Sequence, residues 1–268
     1  MTITLEAPGQ RVVVDAANGG RALSWVVDDH EVLAARSSHP VANGMYVMAP
    51  WAGRLRDNAI VWAGASHVLP VTYESWALHG TVLDRAADVI EQSDRRLTLE
   101  TDLGPAFPWR GLVRTTWELD AERLLTSIEL HAVDEPFPGV VGWHPWFRRV
   151  IEGHRADWTM ADARIAERDA DYRLSGELRE VNAPHGTFDD AFFTTSCTAV
   201  VSWDGLFAIE VCNSHPWFVV FDALPDYLCV EPQTGPPNGV NDAIVGSVSV
   251  ARAGEPLVLR TEWRISRA

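Results

Sequence analysis

The sequence predicts an all-β protein, built as a sandwich or barrel of antiparallel strands. Apolar and polar residues alternate with a period of two along much of the chain, which is typical of half-buried strands. Short runs of β-branched and aromatic residues recur, and the 19 glycines and 16 prolines are spread between them as turn residues. No segment carries a convincing amphipathic helical period. Many short strands with regular turns indicate a sandwich or a barrel.

The individual strands follow from the same signals. Segments 112–119 and 124–133 alternate on either side of a polar turn, so they predict one hairpin. Segments 247–251 and 257–265 flank a stretch that contains glycine and proline, and they predict a second hairpin. Further short strands are predicted at 12–14, 22–27, 200–203, 207–211 and 218–221.

Length and charge restrict the function. A chain of 268 residues with no break in composition is expected to form a single domain over 1–268. Its net charge of −15 repels phosphate backbones and anionic lipid, so we expect neither a nucleic-acid nor a membrane partner. The start has no basic leader, and no stretch approaches the roughly 20 apolar residues of a membrane span. The three scattered cysteines indicate a reducing compartment, so we expect the protein in the cytoplasm. The acidic charge suits a small neutral ligand better than a polyanion. We expect a monomer or a homodimer.

A carboxylate after an apolar run is the most unusual local feature. Glu231 follows the run 228–230 and precedes the loop 232–239, which contains three prolines and two glycines. Such a loop fixes the chain path and can position a reactive group. Burial there would raise the carboxyl pKa toward the range that suits a general base. A structural carboxylate paired with an arginine fits the position equally well, and composition alone leaves both interpretations open.

Histidine and tryptophan supply the other candidate groups. The chain has nine histidines and twelve tryptophans, and an indole face can stack on the C–H face of a sugar ring. Trp51, Trp143 and Trp146 flank charged or imidazole side chains at turn-like positions. No zinc-ligand spacing, nucleophile elbow or phosphate-binding glycine motif occurs, so we expect neither a metal nor another cofactor. Of the kinds of catalysis considered, only acid–base chemistry by histidine and glutamate remains.

Five motifs, in order, resemble those of the aldose 1-epimerase (galactose mutarotase) family. Each motif is weak alone, but their order and spacing over most of the chain make the resemblance specific. The matching segments are P-W-A-G-R-L at 50–55 (family P-W-x-N-R-I), L-H-G at 78–80, H-P-W-F at 144–147 (H-P-Y-F), F-D-D-A-F at 188–192 (L-D-D-x-F) and E-P-Q-T-G-P-P-N at 231–238 (E-P-x-T-x-P-P-D/N).

The resemblance implies a large antiparallel β-sandwich with an open substrate cleft across one face. It also implies an isomerase that interconverts the α and β anomers of a free aldose without a cofactor. Glu231 would take the proton from the C1 hydroxyl, and His144 would protonate the ring oxygen. His79 would hydrogen-bond near the same oxygen.

Substrate binding is assigned to other residues by the same resemblance. Arg54 would orient sugar hydroxyls, and Asp189 would hold hydroxyls away from C1. Asp190 takes that role if the alignment slips by one residue. Trp51 and Trp146 complete the expected sugar-binding set.

Two departures from the family pattern leave the identity of the sugar open. The asparagine that precedes the motif arginine is Gly53 here, which removes an amide from the expected sugar-binding edge. The aromatic residue after His-Pro is Trp146 rather than tyrosine.

Two alternatives accompany the epimerase prediction. A non-catalytic sugar-binding module could share the fold, although it would have no need of an acid–base pair. A mutarotase for hexose 6-phosphates would use arginines to hold the phosphate. The candidates for that role are Arg54, Arg56, Arg148 and Arg149.

Overall fold

The computed structural model describes residues 1–34, 39–169 and 174–267. Within these ranges strands dominate, and the helical segments are two short 3₁₀ helices, Pro40–Ala42 and Arg56–Asn58. The prediction of an all-β protein is confirmed. No helix in the described ranges is long and apolar enough to cross a membrane.

Twelve strands of the described chain form the larger sheet. Ten of them run in the order β1-β2-β3-β5-β13-β23-β22-β19-β17-β18 across the sheet, while β4 pairs with β3 and β14 pairs with β23. The strands are β1 (Thr2–Ala7), β2 (Gln10–Asp15), β3 (Arg21–Val27), β4 (His30–Glu31), β5 (Met45–Met48), β13 (Gly142–Pro145), β14 (Phe147–Arg148), β17 (Arg164–Arg168), β18 (Leu174–Glu180), β19 (Asp189–Phe193), β22 (Trp217–Phe221) and β23 (Tyr227–Gln233).

Nine strands of the described chain form the second sheet, in the order β15-β16-β20-β21-β25-β11-β10-β9-β8. They are β8 (Asp88–Gln92), β9 (Arg96–Asp102), β10 (Gly111–Leu119), β11 (Arg123–Ala132), β15 (Val150–Ile151), β16 (His154–Thr159), β20 (Thr198–Trp203), β21 (Phe207–Asn213) and β25 (Leu257–Arg267). Two small ribbons complete the described strands: β6 (Ala59–Trp62) with β7 (Ala65–Val68), and β12 (Phe137–Pro138) with β24 (Val250–Ala251).

Aromatic side chains pack the two sheets against each other. Trp25 of β3 meets Trp263 of β25 edge to face, with ring centroids 6.1 Å apart. Trp117 of β10 and Trp143 of β13 make a closer contact of 4.7 Å. These indoles are almost fully buried, and such pairs add to the free energy gained from burying their large apolar surface. The main core therefore lies between the two sheets, as expected of a sandwich.

Most predicted strands lie where the sequence placed them, with one error in pairing. The hairpin predicted at 112–119 and 124–133 corresponds to β10 and β11, which pair along their length. The hairpin predicted at 247–251 and 257–265 is wrong. Instead, β24 pairs with β12, and β25 lies between β11 and β21. Only a single bridge between Arg252 and Glu255 remains of the local turn.

The centre of the larger sheet is buried on both faces. Strands β5 and β13 contain no residue that is even half-exposed, and β22 and β23 are almost as well covered. One face of these strands packs on the second sheet. Loops cover much of the opposite face, and a cleft opens there.

Candidate active site

The alternation of side chains along β13 separates the core from the cleft. Trp143 points toward the second sheet, where it meets Trp117. Because successive side chains in a strand point to opposite faces, His144 points to the other face of the sheet. Trp146 lies on the same side as His144 and stacks against it.

Strand register then lines up the candidate residues in rows across this face. Strands β13 and β23 pair at Gly142 and Gln233, and the same antiparallel register places His144 opposite Glu231. The register of the neighbouring strands extends this row as Tyr46, His144, Glu231, Val219 and Ala191. The next row on the same face contains Trp146, Cys229, Phe221 and Asp189.

All residues of these rows except Tyr46 and Cys229 line a cleft of about 270 Å³. Its size is near the lower end of small-molecule pockets, which run from about 300 Å³ upward. Apolar side chains form much of the wall, and charged groups converge from several strands. The lining includes Val41, Gly53, Arg54, Leu78, His79, His144, Trp146, Arg168, Asp189, Asp190, Val219, Phe221, Glu231, Gln233 and Pro237.

Glu231 and His144 contact each other directly at the bottom of the cleft. Glu231 Oε1 lies 3.2 Å from His144 Nε2, and the two side chains are only 3% and 7% exposed. Gln233 Nε2 donates a hydrogen bond of 3.3 Å to the other carboxylate oxygen. The sequence placed Glu231 at the end of its strand, but β23 continues to Gln233, and this extension brings the amide beside the carboxylate.

Two aromatic rings hold the His144 imidazole between them. Tyr46 stacks on one side with centroids 4.6 Å apart, and Trp146 on the other at 5.2 Å, both within about 25° of parallel. Tyr46 Oη and Trp146 Nε1 each donate a 3.0 Å hydrogen bond to the Val41 carbonyl oxygen. One peptide oxygen therefore fixes both rings. The π faces on each side also favour the imidazolium whenever His144 holds a proton.

Burial pushes the pKa values of this pair in opposite directions. The pKa of Glu231 is raised well above 4.5, chiefly by burial and next by the charge of Asp189, while Gln233 and Arg54 partly offset the rise. Burial lowers the pKa of His144 from 6.5 to about 3. In the free protein a single proton on the pair therefore resides on the carboxyl, and the imidazole is neutral.

The Glu231 shift predicts how stability depends on pH. The pKa of Glu231 is raised in the folded state. The stabilisation that Glu231 contributes is therefore complete below pH 4.5, its ordinary pKa, and is lost as the pH rises through its folded-state pKa. Glutamine does not titrate, so Glu231→Gln should gain stability relative to wild type as pH increases from about 5 to 8, by at most about 1.4 kcal/mol per pH unit. Denaturant unfolding of both proteins across this range measures the effect. Glu135→Gln, at an exposed position, is the matched control; a difference between wild type and Glu231→Gln that does not change with pH would contradict the prediction.

His79 is fixed by two hydrogen bonds with Gly53. The Gly53 amide donates to His79 Nδ1 at 3.1 Å, and the His79 amide donates to the Gly53 carbonyl at 3.1 Å. His79 and Gly80 both have positive φ, at 60° and 84°, which directs the imidazole into the cleft. A Cβ on Gly80 would lie 1.8 Å from the Ala49 carbonyl oxygen, which explains the glycine of the L-H-G motif.

This hydrogen bond also selects the tautomer of His79. Because Nδ1 accepts from a backbone amide, the proton of the neutral ring is on Nε2, which is left as a donor. The pKa of His79 is well below 6.5 because burial disfavours the charged ring, and His144 and Arg54 add to this effect. His79 is therefore a neutral hydrogen-bond donor beside His144, with ring centroids 5.1 Å apart.

A side chain at Gly53 would press against Pro237. The φ of Gly53 is 72°, and an added Cβ would lie 2.7 Å from Pro237 Cβ. We expect Gly53→Ala to cost about 1–3 kcal/mol of unfolding free energy and to reduce kcat for the reaction proposed below by about tenfold or more. Gly64→Ala is the matched control because its φ is 82° and nothing lies within 4 Å of the added Cβ. Unchanged activity in Gly53→Ala would show that this pairing does not position His79.

Two arginine–aspartate pairs lie on β19 and the elements around it. Arg54 Nη2 lies 3.5 Å from Asp189 Oδ2, and both side chains are 28% exposed. Arg168 Nε donates a 2.7 Å hydrogen bond to Asp190 Oδ1. Both aspartates reach the cleft, but Asp189 is the one whose charge acts on Glu231. Asp189 therefore lies closer than Asp190 to the carboxylate–imidazole pair in its electrostatic effect, and each aspartate is paired with an arginine.

Several other sequence candidates do not face the cleft. Trp51 is 1% exposed and its indole donates to the Ala77 carbonyl oxygen, so its expected place in the sugar-binding set is corrected to one in the core. Arg148 donates to the Leu33 carbonyl oxygen, and Arg149 donates to that of Asp222. Arg56 pairs with Asp242 at 3.1 Å outside the cleft. Of the arginines suggested for a phosphate, Arg54 alone lines the cleft, and it is paired.

Sequence reasoning missed several residues of the site. Arg168 has no motif to mark it, and Tyr46 lies in an apolar run that resembles ordinary core. Gln233 lies within the 231–238 motif, so its position next to Glu231 offered a signal. Cys229 also lies at the site, although no ligand spacing in the sequence marks it as one of a set.

The fold and the site define an all-β sandwich with a buried carboxylate–imidazole pair in a small open cleft. The model of the aldose 1-epimerase family matches residues 1–257. The chain therefore belongs to the aldose 1-epimerase family. No match was found among curated protein sequences.

Solved structures of similar proteins have the same fold. A galactose mutarotase-like protein from Clostridium acetobutylicum is 16% identical, with a TM-score of 0.85 over 100% of this chain and 95% of its own. A galactose 1-epimerase from Lactobacillus acidophilus is 17% identical, with a TM-score of 0.81 over 100% and 94%. An aldose epimerase homologue from C. elegans is 13% identical, with a TM-score of 0.82 and complete coverage of both chains. At these identities the likeness is one of fold, an antiparallel β-sandwich.

Proposed function

We propose that the protein is an isomerase that interconverts the α and β anomers of a free aldose. The observation that carries this proposal is the direct contact between Glu231 and His144 at the bottom of the cleft, with His79 beside them. Anomer exchange requires one proton to leave the C1 hydroxyl and one to reach the ring oxygen. Both oxygens are bonded to C1, so two adjacent proton-carrying groups can serve them together.

The two groups act from one side of the sugar rather than from opposite sides. At 3.2 Å from each other, the carboxylate and the imidazole leave no room for a sugar between them. The sugar instead rests on the pair, with C1 pointing into the sheet. Glu231 removes the C1 hydroxyl proton while His144 protonates the ring oxygen, and the C1–O5 bond breaks to give the open-chain aldehyde.

Ring closure reverses these roles. Rotation about C1–C2 presents the other face of the aldehyde, after which His144 takes back a proton and Glu231 returns one. The reaction thus needs one proton on the pair at every stage. The resting form, with the proton on Glu231, converts to the working form by transfer across the 3.2 Å contact. The stacked rings of Tyr46 and Trp146 stabilise the imidazolium in that form.

The other polar groups orient the sugar and stabilise charge. His79 donates Nε2–H toward the ring oxygen, where negative charge develops as the C1–O5 bond breaks. Arg54 and Asp189 supply a donor and an acceptor for hydroxyls away from C1. The proposed reaction needs no cofactor, since it transfers only protons and involves no change of oxidation state.

The charges of the cleft favour a neutral sugar over a phosphosugar. Arg54 and Arg168 are both paired with aspartates, and Glu231 adds a third acid to the same wall. A phosphate would have to compete with these carboxylates for the arginines.

We also propose that residues 1–268 form one domain, since the core is continuous between both sheets. We propose further that the protein acts in the cytoplasm as a monomer or homodimer.

Polarimetry on freshly dissolved α-glucose and α-galactose tests this function. Wild type should bring the optical rotation to equilibrium faster than buffer, in proportion to the protein concentration. Glucose 6-phosphate, followed under the same conditions, should be accelerated less. Saturable sugar binding with no acceleration of any aldose would contradict the proposal and favour a binding module.

A further inference from the structure

Among the described residues, three buried side chains of different chemistry converge beneath the cleft. His144, Cys229 and Glu231 each offer one ligand atom, and these atoms all lie within 4.8 Å of one another. Cys229 precedes Glu231 by two residues on β23, so both side chains point to the same face of the sheet. All three residues are less than 10% exposed, and Cys229 is fully buried.

We propose that His144, Cys229 and Glu231 bind a thiophilic divalent metal ion such as Zn²⁺, and that the bound ion blocks the acid–base pair. The metal-binding part stands by itself, and the inhibitory part rests on the function proposed above. The ligands are an imidazole nitrogen, a sulfur and a carboxylate oxygen, which are those of zinc sites in proteins. Hard cations such as Mg²⁺ should bind poorly, because they favour oxygen ligands.

The distances require little rearrangement. Zinc binds nitrogen and oxygen at about 2.0–2.2 Å and sulfur at about 2.3 Å, so tetrahedral ligand atoms lie roughly 3.4–3.6 Å apart. The His144 Nε2 to Glu231 Oε1 distance is 3.2 Å, already close to that value. The remaining ligand-atom separations are at most 4.8 Å, so they exceed the tetrahedral value by no more than about 1.4 Å. Tyr46 and Trp146 hold the imidazole in place, so the thiol and carboxyl supply most of the movement.

The net charge of the occupied site suits its burial. Zinc binds cysteine as the thiolate, glutamate as the carboxylate and histidine as the neutral imidazole, so any protons on the first two groups leave when the ion binds. A divalent ion with one thiolate and one carboxylate has no net charge, which removes the desolvation cost that opposes an isolated carboxylate here. Arg54 and Arg21 lie near enough to act on Glu231 and His144, and they oppose a cation, so this neutrality is needed.

Three protein ligands leave a fourth position that faces the cleft. Water or a sugar hydroxyl can occupy that position, as at zinc sites with an open coordination place. The ion would hold both the carboxylate and the imidazole nitrogen that the reaction needs. Zinc should therefore inhibit anomer exchange, and a chelator should restore the activity.

Titration with Co²⁺ tests the site without relying on activity. Cobalt bound to a thiolate gives a sulfur-to-metal charge-transfer band in the near ultraviolet, and bound zinc should abolish that band. We expect the band in wild type and in the matched controls Cys197→Ala and Cys212→Ala, which remove the other two thiols. It should be missing in Cys229→Ala and in the volume-preserving Cys229→Ser, with folding of each variant checked by near-ultraviolet circular dichroism. No band in folded wild type, or a band that survives in either folded Cys229 variant, would overturn the proposal.

Activity in the presence of zinc tests inhibition. The zinc concentration that halves the mutarotation rate, measured relative to each protein's own rate without metal, should rise at least tenfold in Cys229→Ala compared with wild type. A cobalt band in a protein without mutarotase activity would refute the proposed function and leave the metal site standing. Mutarotase activity equally sensitive to zinc in wild type and in Cys229→Ala would refute inhibition through this site.

Discussion

Replacing Glu231 with glutamine is expected to lower kcat for anomer exchange by about 10²–10⁴-fold, the usual contribution of a positioned acid–base group. Glutamine has nearly the same shape, so it can keep contacts with His144 and Gln233 while losing the ability to carry a proton. The loss should fall mainly on kcat, because the proposed function assigns sugar binding to Arg54 and Asp189 rather than to Glu231. Polarimetric rates at several sugar concentrations separate kcat from KM.

Two observations accompany this test. Glu135→Gln, which changes an exposed carboxylate, should keep the wild-type rate. The Glu231→Gln protein should be at least as stable as wild type at neutral pH, since a buried group with a raised pKa has been removed. A variant that is folded and still exchanges anomers at the wild-type rate would remove Glu231 from its proposed role.

Replacing His144 with phenylalanine is expected to produce a loss of similar size, about 10²–10⁴-fold in kcat. The aromatic ring can occupy the space between Tyr46 and Trp146, so the packing of the sandwich is retained while both nitrogens are lost. His144 Nδ1 is buried without a hydrogen-bond partner among the described residues. Phenylalanine removes this unpaired nitrogen but also takes away the 3.2 Å contact of Glu231 Oε1, so we expect a modest loss of stability with the fold retained.

His144→Gln provides the complementary comparison. It keeps a polar side chain but loses the stacking, so it should be less stable than His144→Phe and equally inactive. Thermal unfolding and polarimetry on the two variants make this distinction. Substantial activity in His144→Phe would show that stacking, rather than proton transfer, is the contribution of His144.

The strands could be predicted from the sequence because their signals are local. The hairpin of β10 and β11 depends on alternation and a nearby turn, and both are visible in the sequence. The hairpin assigned to 247–265 failed because a turn signal does not identify the partner of a strand. Strand β25 pairs instead with β11 and β21, which are far away in the sequence. Such pairing depends on which apolar faces can be buried together across the whole sandwich.

The residues of the candidate site likewise fall into those that could be predicted from the sequence and those that could not. Glu231, His144, His79, Arg54 and Asp189 could be named because each lies in a motif of the family. Residues that act through tertiary contact carry no such mark. Arg168 reaches Asp190 from another strand, and Cys229 joins His144 only through strand pairing. Trp51 was wrongly assigned for the converse reason: it lies in a family motif, but its indole turns into the core.

The opposite pKa shifts of Glu231 and His144 could not be predicted from the sequence either. Raised carboxyl and lowered imidazole pKa values arise from burial, and burial follows from the covered face of the larger sheet. The sequence suggested only that Glu231 would be desolvated. No feature of the sequence indicates that the two groups touch.

The double variant Glu231→Gln/His144→Phe tests most directly whether these residues work as one proton-transfer unit. Residues that act as a unit show strongly non-additive effects, because removing either one already abolishes their joint contribution. Polarimetry on α-galactose should give the double variant a kcat within about tenfold of the slower single variant. A loss equal to the product of the two single losses would show that Glu231 and His144 act independently, and would contradict the shared-proton mechanism.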